Sequence, residues 1–257
     1  MRIPTCVHEA NALPGVTTKL AANKADRVLV AFEESCQYYK KPQEVRVVGM
    51  PIKKDFTEIT REEARNALGL TESDKLVVSA FGSLGAKAMN EVMAQFMELE
   101  TENGLPFQHI HATGSYGWEW MPGLVKGKGV DLENGSIDMR EYIYNMPTLM
   151  AAADIFISRA GASSCNEIAV SGTPCILIPS PNVTDNHQEK NARIMESRGG
   201  CVLLLERECT AQRLYQEVQK LLNDGEARSA MRKALMESSM PDSADRICDI
   251  IEELAKN

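Results

Sequence analysis

The chain has 257 residues, 44% of them hydrophobic and 25% charged, with a net charge of −8. That is the profile of a soluble globular protein, one large domain or a domain plus a piece of another, and the acidic balance speaks against a general nucleic-acid binder. No apolar run approaches the roughly 18–20 residues that span a bilayer, and the amino terminus lacks the apolar core of a signal peptide. Seven cysteines at positions 6, 36, 165, 175, 201, 209 and 248 form no CxxC pair, and read as reduced, mostly buried thiols of a cytosolic protein with no metal site.

In chain order, residues 2–7 read as a strand followed by the loop His8-Glu9-Ala10-Asn11. Pro14 opens a helical pattern through 25, because proline suits the first helical position. A strand at 27–32, a short helix at 33–38 and a strand at 45–48 follow. This is too little to close a doubly wound core alone. Residues 49–55 read as a linker around Pro51. Thr60 and Glu63 make a capping box that starts a helix reaching about 68. Residues 75–81 are a strand, and Gly82-Ser83-Leu84-Gly85-Ala86 turns it into a helix ending near 100. That turn is either a phosphate cradle or simply a tight, small-residue packing turn. Residues 106–113 are a strand with His109 and His111 on one face, more simply core histidines than a metal pair. The aromatic loop 116–121 is either a contact for a partner or membrane surface or, more simply, a packed loop. A short strand at 139–143 leads to a helix from Met146-Pro147 to about 153.

The next stretch, 154–191, organises the rest. Its order is apolar strand 155–157, small-residue turn 159–164, helix from about Cys165, and apolar strand 175–178. A strand-turn-helix of this kind places free N–H groups where an anion binds, and Glu167 lies one turn in, where it can accept from sugar hydroxyls. Ser164 and Glu167 also read as a capping box, and both alternatives stand. The polar run 182–191 holds Asp185, Asn186, His187, Gln188 and Asn191, either a sugar-reading loop or an ordinary connection with Asp185 as N-cap. A last strand at 202–206 lies between helices at 186–198 and 211–223, and helices at 226–240 and 243–255 close the chain. Strand and helix alternate about six times over 56–235, which predicts an α/β fold with a mostly parallel, doubly wound sheet.

The stretch ISRAGASSCNEIAVSGTPCILIPSPNVTDNHQEKNA resembles the carboxyl-terminal half of the MurG family of bacterial glycosyltransferases. HEANALPG is similar to that family's HEQNxxPG, GMPIKKDF to its GNPVR segment, FGSLGA to its GGSQGA, and Thr113-Gly114 to its TG. The resemblance implies the two-domain glycosyltransferase-B fold: residues 1–54 as a remnant of the acceptor-side domain plus linker, 55–235 as the donor-binding domain and 236–257 as a C-terminal helix. It implies UDP-GlcNAc as donor, an undecaprenyl-linked MurNAc-pentapeptide acceptor of peptidoglycan synthesis, no metal or other cofactor, no nucleic acid, and work in the cytoplasm at the inner face of the plasma membrane. By position it implies donor contacts at Asn11, Lys53, Ser83 (diphosphate), Ile143 (uracil), the helix start Ala162, Ser163, Ser164, Cys165 and Asn166, Glu167 (ribose hydroxyls) and Gln188 (GlcNAc hydroxyls).

Ala10, Met50 and Phe81 depart from the family's Gln, Asn and Gly, and Lys53 replaces an Arg, losing its planar fork. The family's amino-terminal GGxGGH loop, with the His proposed as general base, has no counterpart here, so the catalytic residue is unknown. Two expectations follow: a partial inverting GlcNAc transferase, or a donor-binding module that works with a separate N-terminal half or subunit. A nicotinamide-dependent oxidoreductase is disfavoured because no GxGxxG follows a strand.

Overall fold

The computed structural model describes residues 3–256. Two parallel sheets carry the chain. The first is formed by β1 (Cys6–Glu9), β2 (Arg27–Val30) and β3 (Val45–Val47), in that order, with α1 (Val16–Ala22) beside it. The expected first strand lies later than 2–7, and Arg2 is outside the described residues. It continues through His8 to Glu9 because Glu9 is the residue that turns inward. Its buried carboxylate accepts from the N–H groups of Asn11 (3.0 Å) and Gly15 (3.1 Å), and so shapes the following loop.

After β3 the chain forms α2 (Asp55–Glu58) and α3 (Arg61–Ala67). The capping box at α3 is present: Thr60 N donates to Glu63 at 2.9 Å and Glu63 N to Thr60 Oγ1 at 3.2 Å. The second sheet then builds up from β4 (Leu76–Ala80), α4 (Lys87–Glu102), β5 (Gln108–Ala112), α5 (Ser115–Trp118), α6 (Met121–Gly127), β6 (Ile137–Arg140), α7 (Met146–Ala152), β7 (Ile155–Ser158), α8 (Ala162–Ser171), β8 (Cys175–Leu177), α9 (His187–Ser197) and β9 (Val202–Leu203). Its strand order is β6-β5-β4-β7-β8-β9, every pair parallel. β4, β7 and β8 are buried along their whole length, as strands covered by helices on both faces must be.

Three further elements of the second sheet differ from the sequence reading. The aromatic segment 116–121 is largely helical, spanning α5 and the start of α6; Trp120 and Met121 pack against the core, but Tyr116 and Trp118 are exposed, so the expected packing holds only in part. The strand expected at 139–143 runs Ile137–Arg140, since Ile137 is the residue buried against the core. The last strand keeps two residues, and a 3₁₀ turn takes over at Glu206–Glu208.

α10 (Ala211–Asn223), α11 (Gly225–Ser238) and α12 (Ser243–Lys256) complete the fold. The end of the chain returns to its beginning. Ser243 donates to Met50 O, Arg27 pairs with Glu253 at 3.2 Å, and a Cβ on Gly49 would lie 2.8 Å from Met240 Cβ. Gly49 at φ +76 is therefore where the linker and the α11–α12 connection approach each other.

Four of the seven cysteines are buried, and none is in a disulfide. His109 and His111 do share a face, as the strand period requires, and Ser79 of the neighbouring strand stands between them. Its Oγ is 2.8 Å from His109 Nε2 and 2.7 Å from His111 Nδ1. Glu100 of α4 meets His109 Nδ1 at 3.0 Å.

Candidate functional site

Numbered within the second sheet, the strand order is 3-2-1-4-5-6, and the direction of winding reverses between β4 and β7. Ligands in such sheets bind outside the carboxyl ends of the strands at that reversal. A cleft of about 690 Å³ opens there. Ala80, Ala112, Phe156 and Ser158 form its floor; Gly82 and Ser83, the start of α8, the β6–α7 connection and the segment 50–56 form its walls.

The Gly82–Ala86 turn is held from outside. A Cβ on Gly85 (φ +79) would sit 2.0 Å from Thr113 O, and one on Gly114 (φ +72) would sit 2.1 Å from Gly85 N. Ser115 N and Tyr116 N donate to Ser83 O and Leu84 O, both at 3.3 Å. The turn is thus a tight packing turn, and its packing leaves Gly82 and Ser83 exposed to the cleft.

α8 begins at Ala162, three residues before the sequence suggests. Gly161 is the N-cap, in extended conformation, and no side chain caps the helix. The Ser164/Glu167 capping box is therefore absent, because both residues lie inside the helix. The first-turn N–H groups are left for a ligand, and Ser163, Ser164 and Glu167 line the cleft. Burial raises the Glu167 carboxyl above its usual range, and the charge of Lys53 opposes that shift. Lys53 comes from the linker on the other wall.

Ile143, itself buried, lines the cleft between exposed Tyr142 and Tyr144, whose rings meet edge-on at 5.0 Å. Lys53, Ser83, Ile143, Ser163, Ser164 and Glu167 thus share one hollow. The other expected site residues stand around it. Cys165 faces the core, with burial pushing its thiol far up, and Asn166 donates to Ala162 O at 2.8 Å, one turn back in α8. Asn11 accepts from Asn191 at 3.2 Å, and Asn191 also donates to Ala160 O at 3.1 Å, so this pair buttresses the turn before α8. Gln188 accepts from Ser180 N at 2.9 Å, which commits its amide oxygen to the loop after β8. Asp185 does not cap α9; the N-cap is Asn186, in left-handed conformation, without a side-chain cap bond.

The sequence reading overlooked Tyr142, Tyr144, Asp55 and Phe56 as cleft residues. The alternation Tyr-Ile-Tyr beside a strand end is the one local signal that could have drawn attention to the first two. Asp55 and Phe56 belong to the GMPIKKDF stretch, of which only Lys53 was singled out.

Residues 76–247 match the family model described as the glycosyltransferase family 28 C-terminal domain. A protein of Acetivibrio thermocellus named UDP-N-acetylglucosamine–N-acetylmuramyl-(pentapeptide) pyrophosphoryl-undecaprenol N-acetylglucosamine transferase is 39% identical over 257 residues, covering 100% of this chain and 68% of the relative. A Bacillus cereus protein of the same name, numbered 1, is 32% identical over 99% of this chain and 68% of its own. Among solved structures, the MurG of Acinetobacter baumannii superposes with a TM-score of 0.76 at 24% identity, over 98% of this chain and 68% of that one. The UDP co-structure of S. aureus MnaA superposes at 0.72 and 12% identity, over 98% and 70%, a likeness of fold. With a family model over most of the second sheet and whole-chain relatives of one name, the chain belongs to glycosyltransferase family 28, in its MurG branch.

Proposed function

We propose that the cleft holds UDP-GlcNAc and that the chain serves N-acetylglucosaminyl transfer to an undecaprenyl-linked MurNAc-pentapeptide at the inner face of the plasma membrane. The observation that carries this reading is the convergence of Lys53, Ser83, Ile143, Ser163, Ser164 and Glu167 on one hollow at the switch point. Uracil lies against Ile143, and Glu167 accepts from the ribose hydroxyls. The diphosphate lies between Ser83 and the uncapped start of α8, with Lys53 across from it. In an inverting displacement the acceptor hydroxyl oxygen bonds to the sugar anomeric carbon as the bond to UDP breaks. The acceptor proton passes to a base, and negative charge grows on the leaving phosphate, where helix-start N–H groups stabilise it. The relatives' names supply the acceptor. Among the described residues no helix is long and apolar enough to cross a membrane, so in this reading contact with the lipid-linked substrate is peripheral.

Titration calorimetry with UDP and UDP-GlcNAc tests the site. Glu167→Ala is expected to weaken UDP about 10- to 100-fold, as loss of hydrogen bonds to a charged group does. Equal binding by wild type and variant would remove Glu167 from the site.

A second reading has the chain as a donor-binding subunit that needs a partner half. It is favoured by β1, which pairs with β2 on one side and with no strand among the described residues on the other, and by a cleft lining without histidine. Transfer to a lipid-linked acceptor by the purified chain alone would exclude it.

A further inference from the structure

The connection between β6 and α7 carries two exposed tyrosines on a fixed backbone. Gly114 N donates to Glu141 O at 3.0 Å, and Arg140 Nη1 donates to Asn145 Oδ1 at 3.4 Å. Leu149 N donates to Asn145 O at 3.1 Å, so both ends of the segment are tied down. Between these anchors Ile143 is buried in the core, while Tyr142 is 47% exposed and Tyr144 90%. Of the large hydrophobic side chains that stand exposed among the described residues, only these two line the cleft.

The two rings meet edge-on with centroids 5.0 Å apart, a favourable arrangement that braces Tyr144 and still leaves nearly all of its surface free. Between them, the peptide N–H and C=O of Ile143 take no hydrogen bond among the described residues. An uncovered ring beside a free donor and a free acceptor offers a planar heterocycle a partner for its face and a partner for its edge. Ser83 and the start of α8 stand in the other walls of the same hollow, so a ligand held here by its ring still reaches them with its phosphates.

We propose that Tyr144 stacks on the nucleobase of the donor, with Tyr142 as the brace for its ring. This rests on the reading of the cleft as a UDP-GlcNAc site. The base turns its hydrogen-bonding edge to the backbone of Ile143 and one face to Tyr144, and ring and base shield each other from water. Tyrosine suits the task because only two side-chain torsions have to be fixed when it is covered. Stacking accepts any base, so the choice of uracil falls to the edge at Ile143 and the strength of binding to Tyr144.

Titration calorimetry of the full chain with UDP and with UMP tests this in wild type, Tyr144→Ala and Tyr144→Phe. Tyr144→Ala is expected to weaken both nucleotides alike, by about 5- to 150-fold, the worth of one stacked base. Tyr144→Phe keeps the ring and binds as wild type does. All three melt together, because so exposed a side chain adds little to the fold. Equal UDP affinity in wild type and Tyr144→Ala, with Glu167→Ala still weakened, overturns the stacking and leaves the donor cleft standing. A loss for UDP with none for UMP puts the ring on the phosphates and overturns it as well. No UDP binding by wild type removes the donor reading and this inference together.

Discussion

The side-chain amide of Asn191 on α9 ties the loop after β1 to the turn before α8. Its Oδ1 accepts from Ala12 N at 2.9 Å, and its Nδ2 donates to Asn11 Oδ1 at 3.2 Å and to Ala160 O at 3.1 Å. One fully buried side chain thus joins the two sheets just behind the cleft. Asn191→Ala leaves Ala12 N and Ala160 O unsatisfied and is expected to cost about 1–3 kcal/mol of stability. Urea denaturation measures this; a loss within experimental error of zero would mean that water replaces the amide freely.

Glu167 sits in its cleft at an electrostatic cost. Burial raises its carboxyl, so the folded chain holds that proton to higher pH than the unfolded one does. Its contribution to stability is therefore fullest below the unfolded value near 4.5 and falls as pH rises through the folded value. Glu167→Gln should consequently be more stable than wild type at pH 7, equal to it near pH 4, and weaker in binding UDP. Denaturation midpoints at the two pH values decide; a variant less stable at pH 7 would contradict the assignment.

His111 works in the opposite sense. Complete burial, reinforced by His109, holds its imidazole well below the usual range. The folded chain keeps it neutral while the unfolded chain protonates near pH 6.5. Stability is present above that pH and falls below it, by at most about 1.4 kcal/mol per pH unit for one group. His111→Leu should flatten the acid limb between pH 6.5 and 5 in chemical denaturation. An unchanged slope would place the acid sensitivity elsewhere.

Gly85 and Gly114 allow no side chain. Both lie at positive φ, and each added Cβ would meet backbone at 2.0–2.1 Å. Gly85→Ala should cost more than about 3 kcal/mol and displace Ser83 from the cleft. Circular dichroism melts and UDP titration together check this. A folded variant with unaltered UDP affinity would separate the turn from the site.

Local pattern carried the broad plan. The alternation of apolar runs and helical patterns over 56–235 foretold a parallel sheet, and Thr60 with Glu63 marked the start of α3 because a capping box is complete within four residues. Resemblance then picked out Lys53, Ser83, Ile143 and Glu167, which the fold gathers into one hollow. The start of α8 was misread for a physical reason. Ser164 and Glu167 satisfy the spacing of a capping box, yet Gly161 takes the cap position. Spacing alone does not distinguish residues at a helix boundary from the same pair one turn inside.

What the chain's order of residues determined by itself is the succession of elements and the small-residue turns at strand ends, since both follow from periodicities and backbone preferences within a few positions. Only the tertiary structure decided which distant groups meet: Lys53 across from Glu167, Ser79 between two histidines, Asn191 against Asn11, and Arg61 and Arg65 on Asp154. Those meetings depend on strand order and helix packing, which bring together residues up to 180 positions apart and which no local window contains.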